Sequence, residues 1–543
     1  MPCFDNTTMP ARIILATLNA KYIHASLGLR YLMANMARHG GADMAAITSL
    51  QEFTIQRPAQ QIVDALQQSW SDSGEEGYAG KEGVRVVGFG VYIWNVVQTT
   101  EVIRLLKSQW PQVKVVLGGP EVSHEWAEQE IFQLADHLIT GWGDVSFPKL
   151  CRALVQGPQP LMKVIAGEQP PLDDVELPYD LYSATDLAQR VLYVEASRGC
   201  PFKCAFCLSA LDKTAWAFDL EAFLAALAKL VERGARNFKF VDRTFNLKVE
   251  TSVRILQYFL DCLKAAPDES LHLHFELVPD HLPDALKHMV AQFPAGVLQF
   301  EIGIQSFNPA VQSRIARRQD NAKTADNIGW LLEHSQAHLH TDLIFGLPGE
   351  SWESFAQGFD RLYALGPHEI QLGLLKRLRG TPLAQTSLPG TLAKDGMDYA
   401  EQPPYTVLQT DAVSAEQVQQ FTRMARYWDL VVNSGRFGQS SRLLLQGASA
   451  FEAWAAFSEW LWRRSASTHQ LTPEALLDAV FDYLTVQRAL PAEMVRQTLL
   501  ADYLASGARS NPQALQGLLP RREKATTARK TIAQRQQRHH ALR

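Results

Sequence analysis

Short apolar runs bounded by glycine alternate with longer stretches whose apolar positions recur every three or four residues, and this alternation fills about the first 385 residues. In the first third the runs lie at 12–19, 43–50, 84–91, 113–117 and His137–Thr140, with a helical pattern over 27–38. Short, unbroken apolar runs of this kind read as strands covered on both faces. Five strand–helix repeats with glycines at the strand ends predict an open, doubly wound parallel sheet, which takes its ligand at those ends. The ends in question are Asn19, then Tyr92-Ile93-Trp94-Asn95, then Gly118-Gly119-Pro120-Glu121, then Gly141-Trp142-Gly143-Asp144. No G-x-G-x-x-G follows the first run, so a dinucleotide is disfavoured.

A second alternation begins near residue 190. Strand patterns at 191–195, 237–241, 271–277, 297–304, 339–345 and 369–375 enclose amphipathic stretches at 220–234, 249–266 and 351–365. Six β/α units argue a parallel sheet, too short to close as an eight-stranded barrel. In barrels of this type function lies at the C-terminal strand ends. The polar residues found there are Asp242 and Asn246, Glu276, Gln305 with Ser306, and Asp342 followed by Gly346-Leu347-Pro348-Gly349. Beyond Thr381-Pro382-Leu383 the strand signal stops, and 417–435 and 473–504 read as helices, the latter with Thr472 as cap and Pro473 in the first turn. Aromatic residues at helical spacing there are expected to be core.

Composition raises no obstacle. An apolar fraction of 46% and a charged fraction of 20% are ordinary for a globular chain, and 543 residues suffice for three or four domains. No apolar run approaches the ~20 residues of a membrane span, and the first twelve residues lack the pattern of a signal peptide. Charge changes the picture only at the end. Residues 521–543 hold eight Lys or Arg against Glu523 alone, a net of +7 in a chain whose total is −5. Such a tail is expected to be disordered alone and to suit phosphate neutralisation, which points to RNA as a partner.

Three of the six cysteines, Cys200, Cys204 and Cys207, fall within eight residues directly after the strand at 191–195. C-x3-C-x2-C spacing can hold three irons of a [4Fe–4S] cubane and leave the fourth iron without a protein ligand; bacterial ferredoxins use a tighter run with a fourth cysteine. A closed zinc site needs a second ligand pair downstream, and none follows. Clustered thiols without partners fit a reducing cytoplasm. Cys3, Cys151 and Cys262 read as scattered free thiols, Cys262 on an apolar helix face.

With Phe206 before the last cysteine, this string resembles the signature of the radical S-adenosylmethionine (SAM) superfamily, and the open six-unit barrel agrees. The strings Phe240-Val241-Asp242, Phe275-Glu276, Gly303-Ile304-Gln305-Ser306 and Gly346-Leu347-Pro348-Gly349 resemble the strand ends of the branch that carries an N-terminal cobalamin domain. The resemblance covers about 385 residues. It implies a Rossmann-like cobalamin-binding domain (10–160), a linker (161–189), a partial (β/α)6 radical SAM barrel (190–385), a helical C-terminal domain of unassigned role (386–508) and a basic, disordered tail (509–543). By the resemblance Cys200, Cys204 and Cys207 ligate the cluster, whose open iron binds SAM. Asp242 and Asn246 would hold its methionine end, Glu276 its ribose, and Gln305, Asp342 and Phe206 would line the site. The corrinoid would lie on Asn19, Tyr92, Trp94, Asn95, Gly118, Gly119, Gly141 and Gly143. The chain lacks the Asp-x-His-x-x-Gly string of histidine-ligating cobalamin domains, so His24, His124 and His137 are not expected as ligands, and Tyr92 or Trp94 is expected beneath the cobalt.

The implied activity is methyl or one-carbon transfer to an unactivated carbon, with RNA as one possible acceptor and a flavodoxin or ferredoxin as electron donor. Rearrangement, cyclisation or oxidation of a small metabolite is the alternative within the class; a non-catalytic corrinoid and iron–sulfur RNA sensor is the alternative outside it. A methylthiotransferase is disfavoured, because the other cysteines form no second cluster-binding trio.

Overall fold

A computed structural model describes residues 12–71, 83–268, 270–385, 396–519 and 538–539. The chain divides into two compact units, the first formed by Met1–Asp242, Arg377–Gln385 and Ala400–Tyr405, the second by the remainder.

In the first unit, β1 (Ile13–Asn19), β2 (Thr48–Thr54), β3 (Val86–Gly90), β4 (Lys114–Gly118), β5 (His137–Thr140) and β6 (Val164–Ala166) form one sheet in the order β2-β1-β3-β4-β5-β6, with every pair parallel. Period-two alternation along β1 explains the layering. Ile14, Ala16 and Leu18 join Val63, Leu66, Val102 and Leu106 of the helices Ala59–Ser71 and Val96–Gln109 on one face. Ile13 and Leu15 join Leu29, Leu150 and Leu154 of the helices Leu27–Asn35 and Ser146–Gln156 on the other. Three corrections apply to the sequence reading. The second strand, expected at 43–50, is β2 at Thr48–Thr54, because Ala42–Ala46, rich in helix-favouring alanine, forms a helical turn ahead of it. The sheet has six strands rather than five, because β6 is a strand of only three residues on the sheet edge, too short for its apolar run to stand out. The segment expected as a linker at 161–189 is packed: Leu172, Val175, Tyr179 and Tyr182 are buried, and the Tyr182 hydroxyl donates to the Tyr193 carbonyl at 2.6 Å. Buried Arg30 pairs with Asp186 at 2.9 Å and with Glu52 at 2.8 Å, which ties this segment to the sheet.

The same unit contains β7 (Leu192–Val194), a two-residue antiparallel hairpin of β8 (Ser197–Arg198) and β9 (Trp216–Ala217), and β10 (Asn237–Phe240), which pairs parallel with β7. The compact unit therefore runs past the boundaries expected at 160 and 190 and takes in the start of the barrel.

The second unit carries β11 (His272–Leu277), β12 (Leu298–Gln305), β13 (His338–Phe345) and β14 (Glu369–Leu374), all parallel and in sequential order. Counted along the chain, β7 and β10 to β14 are the six expected β/α strands, each within two residues of its expected position. After a short hairpin of β15 (Asp398–Tyr399) and β16 (Val407–Gln409) come the helices Ala415–Val431, Ala450–Ser465, Pro473–Asp482 and Ala492–Ala505. Thr472 caps its helix with Pro473 in the first turn as expected, but 473–504 is not continuous: a π turn at Tyr483–Gln487 and Pro491 interrupt it. Trp428 and Trp454 are fully buried, edge to face at 5.2 Å, and Phe345 of β13 stacks on Phe421 at 4.1 Å, so these aromatics are core.

The tail expectation also needs correction. Asp478 caps the turn Gln513–Leu515, whose Leu515 is buried, so the ordered domain extends past 508. Arg538 donates to the Ser434 carbonyl at 2.9 Å and His539 stands 3.1 Å from that of Asn433. The rest of the basic segment, 520–537 and 540–543, lies outside the described residues.

Candidate cofactor site

The cysteine loop leaves β8 through Gly199, whose φ of +85° and position 2.7 Å (as a virtual Cβ) from the Ala215 amide nitrogen admit no side chain. Cys200 donates its amide to the Asp212 carbonyl at 2.9 Å, and Cys207 donates to the Cys204 carbonyl at 3.1 Å, so the loop folds back on itself. Cys200 and Cys204 are buried, Cys207 and Phe206 half-buried. A donor set of three thiols on one turn, without a fourth beside them among the described residues, suits a cluster with one open iron. Cys151 instead belongs to the apolar layer beside the sheet, where burial pushes its thiol far above the usual range. Cys262 is half-buried on its helix, and Cys3 lies outside the described residues.

Beside this loop, in the same unit, a cavity of about 310 Å³ opens at the C-terminal ends of β3, β4 and β5. Five expected residues line it: Tyr92, Gly118, Gly119, Gly141 and Gly143. A methyl group at Gly118 or Gly141 would meet nothing within 3.7 Å and would project into open space, whereas one at Gly119 (φ +110°) would clash with the Val91 carbonyl oxygen. These bare strand ends form a cradle whose free space depends on missing side chains, which fits a broad, flat ligand such as a corrin ring.

Three expected residues do not line the cavity. Asn19 donates to the His24 carbonyl at 2.9 Å and to Glu52 at 3.0 Å. Asn95 accepts from the Tyr92 amide at 2.8 Å and donates to Leu18 and Gly90 carbonyls at 3.1 Å, so it shapes the turn beneath the cavity. Trp94 stacks on Tyr92 at 4.5 Å with 47% of its surface exposed, so of these two aromatics only Tyr92 lines the cavity. No histidine stands among the described lining residues: His24 pairs with the Tyr193 hydroxyl at 2.7 Å, the ring of His124 lies beside Gly380, and His137 starts β5 at the opposite end of the strand.

Sequence reasoning placed Asp144 at a strand end of the sheet but missed Glu195 and Arg198, which form a polar corner of the cavity with it. Arg198 takes Asp144 in a bidentate grip at 2.8 and 3.1 Å and Glu195 at 2.7 Å, while its guanidinium lies over Tyr31 (4.4 Å) and Trp142 (4.8 Å). Only the strings G-W-G-D and S-R-G-C hinted at it, and the pairing spans 54 residues of sequence.

The SAM-directed expectations meet a mixed geometry. Asp242, in the first unit, accepts from the Ala196 amide at 2.9 Å and the Ser197 hydroxyl at 2.6 Å. Burial pushes its carboxyl up to about 7, against the lowering pull of those two bonds. It therefore braces the strand that feeds the cysteine loop. In the second unit, Asn246 is engaged at both ends of its amide, by the Val278 amide and carbonyl at 2.8 Å and by the His281 carbonyl, so it builds the loop after β11. Glu276 pairs with Arg243 at 2.8 Å and Asp342 with His340 at 3.3 Å. Gln305 ends β12 on a bulge with φ +70°, and its buried Oε1 has no hydrogen-bond partner among the described residues.

Comparison with known proteins agrees with this geometry. Residues 13–151 match the B12 binding domain, 194–362 the radical SAM superfamily, and 393–543 a protein family of unknown function, DUF4080. The chain is 25% identical over 372 residues to the 2-(S-pantetheinyl)-carbapenam-3-carboxylate methyltransferase of Streptantibioticus cattleyicolor, covering 61% of this chain and 53% of that one. It is 24% identical over 401 residues to the cobalamin-dependent radical SAM methyltransferase TokK of Streptomyces tokunonensis, covering 67% and 57%. The chain thus spans little more than half the length of these two relatives. The structure of TsrM from Kitasatospora setae with cobalamin and a [4Fe–4S] cluster bound shares the fold, with a TM-score of 0.54 at 15% identity, covering 74% of this chain and 82% of that one. With the cysteine loop, the glycine cradle and these matches together, the chain is a B12-binding radical SAM enzyme with a C-terminal DUF4080 domain, homologous to the cobalamin-dependent radical SAM methyltransferases, and its cofactors are a [4Fe–4S] cluster, SAM and cobalamin.

Proposed function

We propose that this enzyme transfers a methyl group from SAM to an unactivated carbon of its substrate. The observation that carries the reading is that one compact unit holds both the three-thiol loop and a glycine-cradled cavity with no histidine among its described lining residues. When bound, the cluster supplies the electron that cleaves a SAM sulfonium, and cobalamin supplies a nucleophilic metal for a methyl group. The chain's part is to hold and orient. Cys200, Cys204 and Cys207 would ligate the cluster, Asp242 braces the strand ahead of them, and Tyr92 would pack against a corrinoid as part of the cavity wall. Glu276, Gln305 and Asp342 are assigned to SAM, the unpartnered Gln305 oxygen offering an acceptor for an amino or hydroxyl group. A low-potential flavodoxin or ferredoxin is assigned as donor.

The test is anaerobic turnover of the reconstituted protein with SAM, hydroxocobalamin and reductant, supplied with metabolite extract or total RNA from a deletion strain. S-adenosylhomocysteine and 5′-deoxyadenosine should both appear, together with a species heavier by one methyl. Production of 5′-deoxyadenosine without S-adenosylhomocysteine would select rearrangement or oxidation instead. A methylated nucleoside would identify RNA as the substrate class.

A further inference from the structure

The loop Gly141-Trp142-Gly143-Asp144 at the end of β5 faces two ways. Trp142, Gly143 and Asp144 line the cavity, and the side chains of Trp142 and Asp144 also hold the cysteine loop. Asp144 grips Arg198, two residues before Cys200, through both carboxylate oxygens at 2.8 and 3.1 Å. Trp142 donates its indole N–H to Asp212 at 2.8 Å, and the Asp212 carbonyl accepts the amide of Cys200 at 2.9 Å. Asp212 also accepts from the Thr214 amide and hydroxyl, at 3.0 and 2.7 Å, which fixes the far side of the loop. Two separate chains of contacts, two residues apart at their origin, therefore lead from the cavity wall to the first cysteine.

Arg198 is the stronger of the two connections. It is held between two carboxylates, Asp144 and Glu195, with three aromatic rings (Tyr31, Trp142 and Phe218) within 5.6 Å of its guanidinium carbon. A planar guanidinium in a bidentate grip and stacked on rings has one low-energy position, and a lysine cannot reproduce it. Its side chain is 12% exposed, so removing one partner would leave buried charge unpaired. The position of Arg198 is thus set from the cavity side and transmitted to the cysteine loop.

We infer that the corrinoid and cluster sites are energetically coupled through Arg198 and Trp142, with Arg198 as the positioning residue: filling either site orders the loop that the other requires. The inference rests on the two-cofactor reading given above. Coupling of this kind is reciprocal, and a factor of about ten lies within its usual range. Occupancy of the cavity should also retard loss of iron from the loop.

The experiment compares hydroxocobalamin binding to the cluster-free protein and to the anaerobically reconstituted protein, by equilibrium dialysis, in the wild type, R198Q, D144N and W142F. Wild type should bind about tenfold more tightly when reconstituted, and chelator should strip its iron more slowly when corrinoid is present. In R198Q and D144N the two affinities should converge, and in W142F the ratio should shrink, with melting temperature confirming that each variant is folded. Equal affinities in the two wild-type states would overturn the coupling while leaving the two-cofactor reading intact, and so would a ratio that survives in both R198Q and D144N. No hydroxocobalamin binding in either wild-type state would overturn the two-cofactor reading itself, and the coupling with it.

Discussion

Each cysteine is distinguished by what surrounds its sulfur. Cys200, Cys204 and Cys207 share one backbone turn, Cys151 is enclosed in an apolar layer, and Cys262 lies on a helix. Replacing all three loop cysteines by Ala should abolish the iron–sulfur absorbance of the anaerobic protein, whereas C151A and C262A should retain it in full. His340 provides a second residue-level test. Burial disfavours its charged form, but the hydrogen bond and charge of Asp342, followed by Glu369 and Glu301, outweigh this and raise it from 6.5 to about 9. A base whose folded pKa is raised contributes stability that is complete below about 6.5 and lost as pH rises through 9. The contribution is at most roughly 3 kcal/mol by linkage. H340Q should therefore be less stable than wild type at pH 6 and nearly equal to it at pH 10, read from urea midpoints. An equal stability gap at both pH values would refute the ion-pair account.

At the scale of elements, the strand ends control the cavity through backbone as much as side chain. Gly119 and Gly141 are both at positive φ, yet only Gly119 is crowded, by Val91 backbone. G119A should cost roughly 2 kcal/mol or more, combining strain with a clash that backbone cannot relieve. G141A should cost less, since its methyl meets open space, but that methyl points into the ligand's volume. Both variants should lose copurified corrinoid, and only G119A should show a large fall in melting temperature. Matching falls in the two would mean that the cradle is an ordinary pair of turns. The elements themselves were largely readable in advance. The strands at 237–241, 271–277 and 369–375 differ from those observed by a single residue at an end, because buried parallel strands are short apolar runs with few alternatives. The strand β6 and the break between 482 and 492 were not readable, since a three-residue edge strand has no periodicity and a π turn keeps helical spacing.

At the scale of the whole chain, the histidines test how the domains were combined. His24, His124 and His137 each have a structural place away from the cavity lining. The anaerobically purified protein should retain corrinoid in the H24A, H124A and H137A variants, with an unchanged absorption spectrum. A nitrogen-ligated spectrum that disappears in one variant would reverse the assignment. The compact units also differ from the domains read along the chain, because the packed segment at 161–189 and the hairpin of β8 and β9 join the cysteine loop to the N-terminal sheet. No helix among the described residues is long and apolar enough to cross a membrane.

The sequence by itself determined the classes of chemistry: three thiols at a fixed spacing, bare glycine strand ends, and two alternations of strand and helix. These are local patterns, set by covalent spacing and by the burial of short apolar runs, and they survive reading one residue at a time. Tertiary structure alone decided which polar side chains face the cavity. Asn19 and Asn95 are consumed by backbone hydrogen bonds, while Asp144 and Arg198, 54 residues apart, meet at its wall. A strand-end position states only that a side chain is near a site; whether its hydrogen-bonding capacity remains available depends on partners that the chain brings from far away.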